Sequence, residues 1–201
     1  MRSFLSVLIG LFLVIDFASG HDIHWSQFND NQLFHNPAHS GHFDGDYRFI
    51  GNYRDQWRSV TVPFSTTDIS VDSKFKNIGF GINMFNDQAG DGRFRTVEVQ
   101  GNLSYAFKLT PDSSHVLRPG INFCLNHRQI NWDALYFDVQ YTGYVFNPAA
   151  PNFENYQNDR KTNASFGAGF LYEYRKNDRF KILFGSSLFN LNRPNQGFYN
   201  T

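Results

Sequence analysis

The chain has 201 residues, enough for one domain with a sizeable core, and its 18 Lys and Arg balance 18 Asp and Glu. A formal charge of zero leaves no electrostatic footprint for nucleic acid and no acidic solvating tail. A single cysteine excludes an internal disulfide framework, while 23 Phe and 10 Tyr call for either a large core or a membrane interface.

The first predicted element is an export signal. Met1-Arg2 gives a positive start, Phe4 to Ile15 is a continuous apolar run, and Ala18-Ser19-Gly20 supplies small residues at the cleavage positions. The run is shorter than the ~20 residues a spanning helix needs, so residues 1–20 are expected to be a signal peptide and 21–201 the mature domain. No Cys stands directly after the apolar run, so a lipoprotein anchor is not expected. Five of the seven His residues then fall at His21, His24, His35, His39 and His42. Their spacings match no defined metal site, so no metal or other cofactor is expected, and this segment is expected to be a flexible mature N-terminus.

Strand follows strand from there. Asp46–Arg54 sets Tyr47, Phe49, Gly51 and Tyr53 against Arg48, Asn52 and Arg54, and Thr67–Phe75 sets Ile69, Val71 and Phe75 against Asp68, Ser70, Asp72 and Lys74. Asn77–Asn86 carries Ile78, Phe80, Ile82 and Met84 opposite Gly79, Gly81 and Asn83. Val97–Leu109 alternates almost without error and predicts one long strand. His115–Asn126, Ala164–Arg175 and Arg179–Leu191 repeat the pattern. Cys124 falls within the first of these and reads as a small buried residue. Turn residues separate the strands at Asn77, Ala89–Gly92, Thr110–Ser114 and Arg175–Arg179. The "DQAGDG" turn, with Asp87 and Asp91, lacks the spacing of a calcium loop and reads as a hairpin. Asn147–Asn163, rich in Pro and Asn, is the best candidate for a long loop.

A soluble sandwich and a membrane barrel both use this alternation, and the composition of the polar face favours the barrel. It holds Gly, Asn, Ser, Gln, Asp and Arg, which suit a crowded polar lumen, and the apolar face is tipped with aromatics. A mean hydropathy of −0.46 is compatible, because half of each strand is polar. The expected fold is all-β, an antiparallel up-and-down transmembrane β-barrel in contact with outer-membrane lipid. Arg48, Arg54, Arg118 and Arg128 share the polar side with Asp68, Asp72 and Glu98. These are candidate lumen charges, either a selectivity network or pairing that lets the lumen pack. Trp57, Tyr105 and Trp132 are candidate membrane-interface aromatics. No nucleophile elbow, zinc helix or phosphate loop is present, so no enzyme activity and no catalytic residue is expected.

Five ordered stretches resemble the PorP/SprF family of Bacteroidota outer-membrane proteins, associated with type IX secretion and gliding motility. They are "HWSQFNDNQLFHNPAHSG" (His24–Gly41), "YRFIGNYRDQWRSV" (Tyr47–Val60), "NDQAGDGRFRT" (Asn86–Thr96), "LRPGINFCLNHRQINWDALYF" (Leu117–Phe137) and "FNLNRPNQGF" (Phe189–Phe198). The resemblance implies a component that supports secretion or surface anchoring of specific cargo. It also implies partners among cargo C-terminal domains and a periplasmic peptidoglycan-binding lipoprotein. Members of that family run longer, so the barrel is expected to be incomplete at its C-terminus and the chain truncated relative to the family. The residues themselves leave two other readings open, a generic outer-membrane porin or transporter and an exported soluble β-sandwich adhesion domain.

Overall fold

The computed structural model describes residues 28–59, 62–90, 92–143, 145–147, 149–151, 158–177 and 179–198. The expected signal peptide, His21, His24 and Asp91 lie outside them. Among the described residues ten strands form: β1 (Tyr47–Gln56), β2 (Phe64–Phe75), β3 (Ile78–Ala89), β4 (Phe94–Tyr105), β5 (Phe107–Lys108), β6 (His115–Gln129), β7 (Tyr141–Thr142), β8 (Val145–Phe146), β9 (Arg160–Asn177) and β10 (Phe180–Leu188). All but β7 and β8 join one antiparallel sheet in the order β1-β2-β3-β4-β6-β9-β10, with β5 also on β6, and this sheet curls into an open half-barrel. No helix among the described residues is long and apolar enough to cross a membrane.

The alternation read from the sequence becomes two faces. Phe49 is 77% exposed and Ile69 61%, and both lie on the convex side with Phe80, Ile82, Leu103, Ile121, Phe166 and Phe184. Asp68 and Asn83 are fully buried on the concave side with Asp72, Gln100, Asn102, Asn122 and Ser165. Burial is thus inverted relative to a water-soluble domain: polar groups are inside and apolar groups are outside.

The strand expected over Val97–Leu109 is interrupted at Ala106. Register does not change across the gap, with Ser104 opposite Gly120 and Phe107 opposite Leu117. Pro119 lies between those partners and has no N–H to give to the ladder, which explains the break. The Ala106 N–H bonds instead to the Asn77 carbonyl at 2.8 Å.

The connection between β6 and β9 is longer than the Asn147–Asn163 loop. It includes two 3₁₀ turns, Trp132–Ala134 and Asp138–Gln140, and the β7–β8 hairpin. It leaves the same end of the sheet as the β1–β2 and β3–β4 connections. The β2–β3, β5–β6 and β9–β10 turns, all short, lie at the other end together with the start of β1.

The largest departure from expectation is the N-terminal segment. Far from being a flexible tail, residues 28–45 lie across the concave face, with Asn31, Leu33, Ala38 and Ser40 fully buried. A single helical turn at Gln32–His35 is followed by a 3₁₀ turn at Pro37–His39. Extended polar strands cannot bury their concave side against water alone, and this segment supplies the missing inner layer.

Candidate functional site

The site is the concave face with its plug. "NPA" (Asn36-Pro37-Ala38) is a local capping device before it is anything else. The Asn36 side-chain oxygen accepts from the Ala38 N–H at 2.9 Å, and Pro37 occupies the first turn, where no N–H is needed. The Asn36 amide then donates to the Phe170 carbonyl at 3.0 Å and the Ser186 carbonyl at 3.3 Å, which ties the plug to β9 and β10. Ser187 donates its hydroxyl to the His35 carbonyl. On the β4 side Ser104 donates to the Ser40 carbonyl at 2.7 Å.

Two glycines make this approach possible. A Cβ on Gly120 would sit 2.6 Å from the Pro37 carbonyl carbon and 2.7 Å from the Ala38 Cα. A Cβ on Gly79 would collide with the Ser40 carbonyl. The "RPG" of β6 and the "NPA" of the plug are therefore two halves of one contact.

Apolar residues that break the alternation complete the seat. Phe85 is buried on the otherwise polar side of β3, its ring 5.7 Å from that of Phe34. Leu171 is buried on the polar side of β9. These off-pattern side chains are the sequence signal that something apolar lies inside, and it was available before the structure.

Of the predicted lumen charges, one pair comes together. Arg48 and Asp72 are directly opposite in the β1–β2 register. Arg48 donates from Nε to Oδ1 and from Nη2 to Oδ2, both at 2.9 Å, and Gly41 adds its backbone N–H to Oδ2 at 2.8 Å. Arg48 also donates to the His39 carbonyl at 3.1 Å, so the pair clamps the plug as well as the two strands. Asp68 and Glu98 find amides instead: Asn83 donates to Asp68 at 2.6 Å, and Asn126 and Gln100 donate to Glu98. Asn122 donates to Asn102 at 3.0 Å, extending an amide lining across β4 and β6. Arg54 and Arg128 have no carboxylate within ion-pair distance among the described residues.

Arg118 faces a group the sequence reading did not single out. Glu173 of β9 accepts from His42 of the plug at 2.7 Å, Arg175 at 2.9 Å and Lys181 at 3.0 Å. Lys74 donates to the Phe43 carbonyl at 2.6 Å. Cys124 is buried on the polar side of β6, as its strand position suggested. Trp57 and Trp132 sit at the long-connection end, Trp57 edge-on to Phe64 at 5.0 Å and Trp132 donating to the Asn158 carbonyl at 3.2 Å. Tyr105 is at the opposite end, 4.6 Å from the Phe107 ring.

The histidines of the plug set its pH dependence. Burial, then the neighbouring His42 and Arg48, hold His39 down to about 4. Burial also lowers His42, against the opposing pull of Glu173, so its contact with Glu173 is a hydrogen bond from a neutral ring. A released plug would protonate its histidines at their ordinary value of 6.5, the seated one binds the proton on His39 only near 4, and so seating weakens as pH falls between those values. Chymotryptic cleavage at Leu33 and Phe34, normalised to a free peptide, is expected to be slow at pH 7.5 and markedly faster at pH 5. A profile flat across that interval would contradict this.

Searches of curated proteins and of solved structures return no match. The family model described as type IX secretion system membrane protein PorP/SprF matches residues 18–201, and it takes in the plug, every strand of the curled sheet and the segment after β10. The chain belongs to the PorP/SprF family of type IX secretion system membrane proteins.

Proposed function

We propose that the mature domain, residues 21–201 after removal of a signal peptide at 1–20, is an outer-membrane component of type IX secretion that supports export or surface anchoring of specific cargo. Its partners in this reading are cargo C-terminal domains and a periplasmic peptidoglycan-binding lipoprotein. The observation that carries the reading, beside family membership, is a sheet with its apolar face outward and its polar face filled by the chain's own N-terminal segment. An outward apolar face suits lipid. A filled concave face suits a binding or gating role better than an open solute channel, which weighs against the porin alternative. In this reading Trp57, Tyr105 and Trp132 anchor the two membrane interfaces. Arg48, Asp72, Asp68 and Glu98 hold the plug and lumen together, while Arg54, Arg118 and Arg128 carry lumen charge. An inside-out sheet also argues against the soluble adhesion domain, because that fold would expose Phe49 and Ile69 to water.

The test is deletion of the gene, with the cell surface and the periplasm compared by proteomics. Cargo bearing type IX C-terminal domains is expected to vanish from the surface and return on complementation. Unchanged surface cargo, with a change in small-solute uptake, would instead support a porin. Fractionation tests the membrane assignment separately. The protein is expected with outer membranes, released by detergent and not by alkaline carbonate, and recovery in the aqueous fraction would refute it.

A further inference from the structure

We propose that the recess at the short-turn end of the concave face binds an acidic peptide segment. The proposal stands on local geometry and does not depend on the secretion role. The recess has a volume of about 390 Å³, and among the described residues it gathers Lys74, Lys76, Lys108, Arg118, Arg175 and Lys181 around two carboxylates, Asp44 and Glu173. Glu173 is already shared by His42, Arg175 and Lys181. Among the described residues no carboxylate lies within ion-pair distance of Lys74, Lys76, Lys108 or Arg118. In a chain of zero formal charge this is a marked local excess. The recess at the opposite end is balanced, with Arg93 and Arg160 facing Asp133 and Asp159.

Cations gathered without counter-charges repel one another, and an anionic occupant relieves that repulsion. Strand alternation decides which side that occupant approaches from. Lys74 follows Asp72, Arg118 precedes Gly120, Arg175 follows Glu173 and Lys181 is opposite Arg175, so all belong to the concave row. Lipid would meet the convex row, so a bilayer headgroup is not the favoured occupant. The spread of the charges decides its size. From β2 to β10 the sheet order has five intervals, roughly 24 Å of arc at about 4.8 Å per strand. One phosphate cannot reach cations so distributed, whereas an extended peptide with several Asp or Glu residues can. The cations come from three separate hairpins fixed by one sheet, which holds their spacing before any ligand arrives.

The test uses the full mature chain in a neutral detergent and a fluorescein-labelled octapeptide alternating Glu with Ser and Gly, read by anisotropy. Saturable binding is expected, weakened about tenfold or more when Gln replaces Glu and when salt rises from about 50 to about 500 mM. Lys76→Glu combined with Lys108→Glu is expected to weaken binding by about tenfold or more. Both lysines are exposed and lack ion-pair partners among the described residues, so reversal leaves the sheet intact. Arg160→Glu, at the balanced end, is expected to bind as the parent does. The proposal is overturned if the lysine double variant binds like the parent or if the Gln peptide binds equally well. It is also overturned if millimolar inorganic phosphate fully displaces the peptide, since the site would then take one small anion.

Discussion

Asp72→Ala is expected to destabilise the folded protein by about 3–5 kcal/mol, among the largest effects of any single substitution in the chain. Asp72 is fully enclosed and accepts three hydrogen bonds, two from Arg48 and one from the Gly41 N–H. Removing it leaves the Arg48 guanidinium, only 17% exposed, without a counter-charge, and it frees the plug at Gly41. An uncompensated charge in a confined space costs more than the intact pair contributes. The double variant Arg48→Met with Asp72→Leu is therefore expected to recover most of the loss. Urea midpoints of protein refolded into detergent would measure both. A single variant within about 1 kcal/mol of the parent would show that the clamp is dispensable.

Gly120→Ala is expected to unseat the plug, at a cost of about 3 kcal/mol, the upper end of ordinary overpacking. The added methyl meets the Pro37 carbonyl carbon at 2.6 Å and the Ala38 Cα at 2.7 Å, and both are backbone atoms that no rotamer change can move. The strand itself tolerates alanine, so the sheet should survive while Leu33 and Phe34 become accessible to chymotrypsin. Gly101→Ala is the matched control, because nothing lies within 4 Å of its position on the convex side. Equal protection of the plug in Gly120→Ala and Gly101→Ala would refute the close contact. Loss of protection in Gly120→Ala alone would link the "RPG" and "NPA" motifs as one structural unit.

The period-2 pattern by itself determined the strands and their two faces, and six of the seven predicted strands survive as single elements. That is because side-chain direction in an extended chain depends only on residue parity. The composition of the polar face also favoured a lumen over a watered surface, and the burial of Asp68, Asn83 and Asn122 bears this out. The break at Ala106 was legible in principle, since Pro119 is visible in the sequence, but only the β4–β6 register shows that it lies opposite Tyr105. The pairing of Arg48 with Asp72 was half legible: both were placed on the polar side, and which acid met which arginine depended on the β1–β2 register. Glu173 was missed because its partners, His42, Arg175 and Lys181, come from the plug and two strands. The folding of residues 28–45 into the concave face was decided by tertiary structure alone. Short turns such as Gln32–His35 carry almost no local stability. What holds them is the sum of contacts to strands far along the chain, through Asn36 to β9 and β10 and at Gly79 and Gly120, whose missing side chains signify nothing until the two segments meet.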